Sequence, residues 1–212
     1  FFTMLSRFLG LARDVVFARV IGAEALADVF FVAFKIPNFF RRLFAEGAFA
    51  QAFVPILGEY REKGSVAAVR ELVSRVAGNL GLTLIFITLV IVVASPLMAA
   101  VFAPSWYMDN PSKFAATSEM LRITFPYLLF ISMTGLAGAV LNSYDRFAVP
   151  AFTPLLLNVT LIFAALIGAP LFDQPAYALA WGVLFAGIIQ FIFQLPFLRS
   201  IHMLPMPRVD WQ

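Results

Sequence analysis

Asp28, Lys35, Arg42 and Glu46 stand seven, seven and four residues apart in the segment ADVFFVAFKIPNFFRRLFAEGAFAQAFVPIL. At about 100° per residue they fall within roughly 40° of one another on a helix, with Arg41 one position to the side. The stripe would run about 27 Å at 1.5 Å per residue, nearly the depth of a bilayer core. Its surroundings are almost wholly apolar, and an ionised group facing lipid costs at least about 2.5–3.5 kcal/mol. The stripe must therefore look into a wet cavity or a polar protein interior. Upstream, SRFLGLARDVVFARVIG adds Arg7 and Asp14, seven apart on one face, and Arg13, about 100° from Asp14. Arg19 suits a helix end from which it snorkels to an interface; Arg13, in mid-helix, does not. The charges fit a salt-bridge network between two helices or a transport pathway. The two overlap, because Asp14 and Asp28 can hold arginines in place while leaving one face of each free.

The sign of the group narrows its chemistry. Arg7, Arg13, Lys35, Arg41 and Arg42 face Asp14, Asp28 and Glu46, a surplus of two positive charges. Such a cavity suits an anion, since the planar guanidinium binds phosphate oxygens in pairs and stays charged at any working pH. A proton relay would use carboxylates or histidines that titrate. The adjacent Arg41–Arg42 pair resembles a diphosphate clamp, although phosphate, carboxylate or sulfate would each satisfy it. The chain has no cysteine and a single histidine, His202, so a disulfide framework, a thiolate site and a multi-histidine metal site are excluded within it. No cofactor is expected. Pro37 and Asn38 lie on the same helix as the pair and mark either an ordinary packing kink or a hinge lining the pathway. Gly47 adds a weak point beyond them.

The elements that carry these residues belong to an all-α polytopic membrane protein. Hydrophobic residues make up 62% of the 212 and charged residues only 13%, against about 25% charged in ordinary soluble domains. Windows 123–144, 147–172 and 174–198 contain no Asp, Glu, Lys or Arg, and 76–108 is longer than one crossing requires. The apolar runs are continuous rather than alternating, which argues against a β-barrel. Six spans are predicted, at about 2–21, 26–57, 77–102, 117–143, 150–168 and 176–198, with Pro104, Pro111, Pro150, Pro170 and Pro175 between them. Asn158 shares a face of the fifth with Pro150 and Pro154, where it meets a ligand or a neighbouring helix. Gln190 and Gln194 read as interhelical glue, and Gly135 with Ala139 as a small-residue pair for close helix approach. Arg61, Lys63, Arg70, Arg75, Arg146, Arg199 and Arg208 fall on one side, which predicts both termini in the cytoplasm. The chain starts at Phe1 and ends in a polar tail, PMPRVDWQ, as a piece of a longer protein would.

SRFLGLARD, DVFFVAFKIPNFFRRLFAEGAFAQAFVPIL and LRITFPYLLFISMTGLAGAVLNSYDRFAVPAFTPLLLN resemble the N-terminal part of the MurJ (MviN) lipid II flippases of the MOP exporter superfamily. The resemblance implies a two-lobe, MATE-like architecture. Residues 1–199 would form a six-helix N-lobe, and 200–212 a cytoplasmic tail leading to a C-lobe. It implies a cargo, lipid II, an undecaprenyl diphosphate carrying a disaccharide-pentapeptide, moved across the bacterial inner membrane by alternating access with no bond made or broken. The partners would be that lipid, membrane lipids and the C-lobe, with no nucleic acid. By alignment the family's functional charges fall on Arg7, Arg13, Asp14, Asp28, Arg41 and Arg42, with Ser6 and Asn158 as further positions; Lys35 and Glu46 come from the stripe alone. An ion-coupled exporter of cationic drugs would share the architecture but should show surplus acid. A flippase of another polyprenyl-diphosphate-linked glycan would share the chemistry. Membrane potential and ion coupling both stay open as driving forces.

Overall fold

A computed structural model of the chain describes residues 2–22, 26–41 and 48–206. Among them the regular elements are helical: α1 (Phe2–Val20), α2 (Ala27–Arg41), α3 (Ala48–Lys63), α4 (Val66–Val93), α5 (Ser95–Phe102), α6 (Pro104–Asp109), α7 (Pro111–Thr124), α8 (Tyr127–Ser143), α9 (Ala148–Phe163) and α10 (Pro175–Ser200). A wider turn over Ala164–Gly168 and a tighter one over Ala169–Leu171 prolong α9. α10 lies at the centre, against α8 and α9 and, at its start, α7 and α2; α1 packs on α9, α2 on α7, and α3 and α4 on α8.

The core runs along the bundle in three apolar clusters. At one end Phe17, Val29, Phe30, Met120, Leu179 and Val183 meet. Ile36, Leu84, Leu121, Phe125 and Leu128 fill the middle. Leu57, Val73, Val140, Leu141 and Leu198 close the other end. Small residues on α10 permit this density: a Cβ on Gly182 would lie 2.6 Å from Ala164 Cβ, and one on Gly187 2.7 Å from the Tyr127 ring. Gly135 and Ala139, expected to bring helices together, instead line open space, and the adjacent Gly138 is the position of close approach, to Pro150.

The outer face is apolar too. Phe86 is 66% exposed and Val93 80% exposed on α4, part of a continuous exposed row with Leu82, Ile85 and Leu89. A surface of this kind is the lipid-facing wall of a membrane protein. Four segments are long and apolar enough to cross a membrane: Val66–Val93, Pro111–Ser143, Ala148–Leu171 and Pro175–Ser200. They correspond to the last four predicted spans. The third starts earlier than expected because Ser65 caps it, accepting from the Ala68 amide, and a Glu71–Arg75 ion pair one turn apart supports its first turns. It also ends earlier, at Val93, and α5 restarts behind Pro96. The fourth is two helices in series, separated at Phe125–Pro126.

The first two predicted spans differ more. α1 ends near Gly22 as expected, in a left-handed turn (φ 47°), but its charges Arg7, Arg13, Asp14 and Arg19 keep it from the apolarity of the other four. Of the predicted span 26–57, α2 and α3 are the described parts and 42–47 lie outside them; both helices pack on α8. Four such segments, not six, are therefore found among the described residues.

Pro37 does not end α2. Having no N–H, it leaves the Ala33 carbonyl without its helical partner. Thr124 of α7 donates to that carbonyl at 2.9 Å, and Thr124 is fully buried. Of the two roles open to Pro37, this contact favours packing.

Candidate functional site

α1 contributes one half of the candidate site. Arg13 donates from Nε (3.0 Å) and Nη2 (2.7 Å) to Asp14 Oδ1, and from Nη1 (3.1 Å) to Asn158 Oδ1 on α9. Asn158 in turn donates to the Ser6 carbonyl at 3.3 Å. Its amide thus clasps α1 at two points about two turns apart, and its own side chain is buried. The guanidinium also lies 5.7 Å from the Phe17 ring centroid. Arg13 and Asp14 are neighbours about 100° apart on the helix, yet their long side chains close the angle. Asn158 meets a neighbouring helix, one of the two roles its sequence position allowed. Arg7 is exposed on α1.

α2 contributes the other half. Lys35, Asn38 and Arg41, at intervals of three, line a concavity of about 500 Å³ with Phe31, Phe34 and Phe39. Arg41 Nε donates to Asn38 Oδ1 at 3.3 Å. Arg41 also lines a second cavity, about 620 Å³, whose polar wall is Thr134, Asn142, Ser143, Thr153, Gln190 and Gln194. The two share Arg41 as a common wall. Pro150 and Pro154 of α9 line the second cavity, and Asn158 follows Pro154 by one helical turn on the same face. The Arg13 clasp therefore adjoins the cavity that Arg41 borders.

Of the charged stripe, Asp28 and Lys35 lie among the described residues, both on α2. Asp28 turns away to α7, where Lys113 reaches its Oδ2 at 3.3 Å while lying 5.4 Å from the Trp106 ring centroid. Lys113 carries no signal of this in the sequence, because it follows the third span in what reads as a loop. Arg42 and Glu46 lie outside the described residues. Asn38 adds a neutral polar group between Lys35 and Arg41.

Gln190 and Gln194 act as expected between helices: their Nε2 atoms donate to the Thr153 carbonyl (3.0 Å) and to Thr153 Oγ1 (3.1 Å). Thr153 escaped the sequence reading. Its signal is the following Pro154, which frees the Pro150 carbonyl that Thr153 Oγ1 then bonds at 2.8 Å. At this end of the bundle Arg61 donates to the Ser143 carbonyl and lies 4.7 Å from the Tyr144 ring centroid. No group of three or more Asp, Glu or His side chains gathers as metal ligands among the described residues. The arrangement offers cationic and neutral hydrogen-bonding groups around two hollows that both include Arg41 in their lining.

Comparison with known proteins places this geometry in context. The family model described as lipid II flippase MurJ matches residues 17–212. A probable lipid II flippase MurJ of Haemophilus influenzae is 47% identical over 99% of this chain and 42% of its own length. One from Vibrio cholerae is 48% identical over 99% of this chain and 41% of its own. A lipid II flippase MurJ of Burkholderia cenocepacia is 45% identical over 97% and 40% respectively. A solved structure of a lipid II flippase MurJ in an inward closed conformation superposes on the whole chain with a TM-score of 0.77 and 25% sequence identity, using 42% of that protein. The chain thus spans about two fifths of the length of the relatives it matches.

Proposed function

This chain belongs to the lipid II flippase MurJ family, and from that premise we propose that it supplies one lobe of a transporter for lipid-linked diphosphates. The observation that carries the proposal is Arg41, set where two hollows meet, with Lys35 beside it and the Arg13 clasp one turn beyond the cavity wall. A guanidinium that borders both hollows can meet an anion there, and its fork matches a diphosphate. The headgroup would enter this cationic region while the polyprenyl tail stays in lipid. Arg7 and Arg42 would extend the positive field, and Asp14, Asp28 and Glu46 would hold the basic side chains in place.

The end bearing Arg61, Lys63, Arg70, Arg146 and Arg199 is assigned to the cytoplasm of a bacterial inner membrane. Residues 1–199 then form a six-crossing N-lobe, with α1 and the α2–α3 region as the two crossings that polar walls permit. The cargo would load at the basic end and leave on the other side as this lobe rocks against a second one. No bond is made or broken in such a cycle.

The full-length protein tests this in cells depleted of their own lipid II flippase. Arg13→Ala, Arg41→Ala and Arg42→Ala are each expected to fail to restore growth at normal expression. Normal growth with all three would refute the anion cavity.

A further inference from the structure

The cavity beside Arg41 contains two acceptors with nothing to accept. Gln190 and Gln194 are 2% and 1% exposed, and neither Oε1 has a hydrogen-bond partner. Their amide orientation is not arbitrary. The Thr153 carbonyl can only accept, which assigns the nitrogen of Gln190. Thr153 Oγ1 turns its hydrogen to the Pro150 carbonyl, so it too accepts from Gln194. The oxygens are what remain, four residues apart on one face of α10. Buried polar atoms are almost always satisfied, and an orphaned acceptor carries its full desolvation penalty. Glue alone does not require it: a methionine or leucine at either position would pack α10 on α9 with no orphan.

The cavity says what kind of group would relieve the pair. Carbonyl oxygens take a cation or a hydrogen-bond donor. Arg41 is among the lining residues, and among the described residues no carboxylate lines the cavity, which disfavours a cation. Thr134, Asn142 and Ser143 add further neutral hydrogen-bonding groups. Gly135, Gly138 and Ala139 add no bulk to its lining. The hollow thus combines a positive rim with a neutral, acceptor-rich wall. Such a combination fits a ligand that is anionic at one end and rich in hydroxyl or amide N–H groups at the other.

We propose that Gln190 and Gln194 form an acceptor pair that reads the donors of a glycopeptide headgroup, while Arg41 meets the diphosphate to which that headgroup is attached. The pair thereby distinguishes a headgroup-bearing lipid diphosphate from a bare one. Both oxygens are sealed from solvent in this conformation, so the pair engages as the cavity widens along the α9–α10 contact. The inference rests on the reading of Arg41 as a diphosphate contact.

The test uses the purified full-length protein in nanodiscs and two probes: a polyprenyl diphosphate carrying the disaccharide-peptide headgroup, and the same polyprenyl diphosphate without it. Wild type should prefer the first. The double variant Gln190→Met/Gln194→Met should lose that preference at least tenfold, leave binding of the bare diphosphate unchanged, and keep or raise the unfolding temperature. Arg41→Ala should weaken both probes alike. If the double variant does not fold, Gln194→Met alone carries the same comparison. An unchanged preference in the glutamine variants overturns the acceptor pair, and so does an equal loss on both probes. The diphosphate reading survives either result if Arg41→Ala still weakens both. Wild type binding neither probe overturns both readings together.

Discussion

Arg13 and Arg41 are the same residue type put to opposite uses. Arg13 is taken up by protein: Asp14 accepts two of its hydrogen bonds, Asn158 a third, and Phe17 lies beside the guanidinium. Arg41 leans on Asn38 of its own helix and borders two hollows. The difference lies in what the neighbouring helix offers. α9 presents to α1 a buried amide that can both accept and donate, so the arginine becomes a joint between helices. Beside Arg41, glycine, alanine and proline of α8 and α9 line a cavity that the arginine borders. Charge in a membrane bundle can therefore either fix the frame or serve the cargo, and the partner helix decides which.

The largest effect should come from reversing the charge of the arginine that borders the cavities. Arg41→Glu puts like charge against an anionic cargo, a juxtaposition that costs several kcal/mol. Binding of a lipid-linked diphosphate by the full-length protein should fall at least about a hundredfold. The fold should stay, as seen by an unfolding temperature within a few degrees of wild type.

Asn158→Leu should do the reverse. It removes an acceptor from Arg13 and a donor from the Ser6 carbonyl, at about 1–3 kcal/mol for the groups left unpaired. The measurement is thermal unfolding, which should shift downward clearly. Binding affinity changing more than stability would erase the distinction between the two arginines.

Asp14→Asn is expected to be milder. Its carboxylate is 62% exposed, and exposed pairs contribute about 0–1 kcal/mol. Smallest should be Asp28→Asn, whose single contact with Lys113 is 3.3 Å long with the carboxylate 68% exposed; a shift in unfolding within about 0.5 kcal/mol is expected. An Asp28→Asn protein that folds normally but cannot restore growth would move Asp28 from framework to cargo path.

Residue patterns foretold the parts of this fold that depend on one helix at a time. Charge-free windows located α4, α7–α8, α9 and α10 because lipid-facing surface must be apolar along its whole length. At 26–57 continuous apolar character suggested one crossing, and the described parts of that range are the helices α2 and α3, with 42–47 outside them. The stripe of Asp28, Lys35, Arg42 and Glu46 assumed a single straight helix through that range. What the pattern could not supply was register between helices. Asn158 opposite Arg13, Lys113 opposite Asp28 and Thr153 opposite Gln190 are pairings across 145, 85 and 37 positions of sequence. No periodicity within one helix encodes them. The two prolines did carry a readable clue, because each names the carbonyl it leaves without a partner.

That clue has a mechanical consequence at Pro37. α2 has ceded one of its internal hydrogen bonds to Thr124, so sliding α2 past α7 would strand a carbonyl in the driest part of the bundle. The two helices are latched. If the proposed transport cycle tilts this lobe, Arg41 is carried by a rigid two-helix lever rather than by a loose rod.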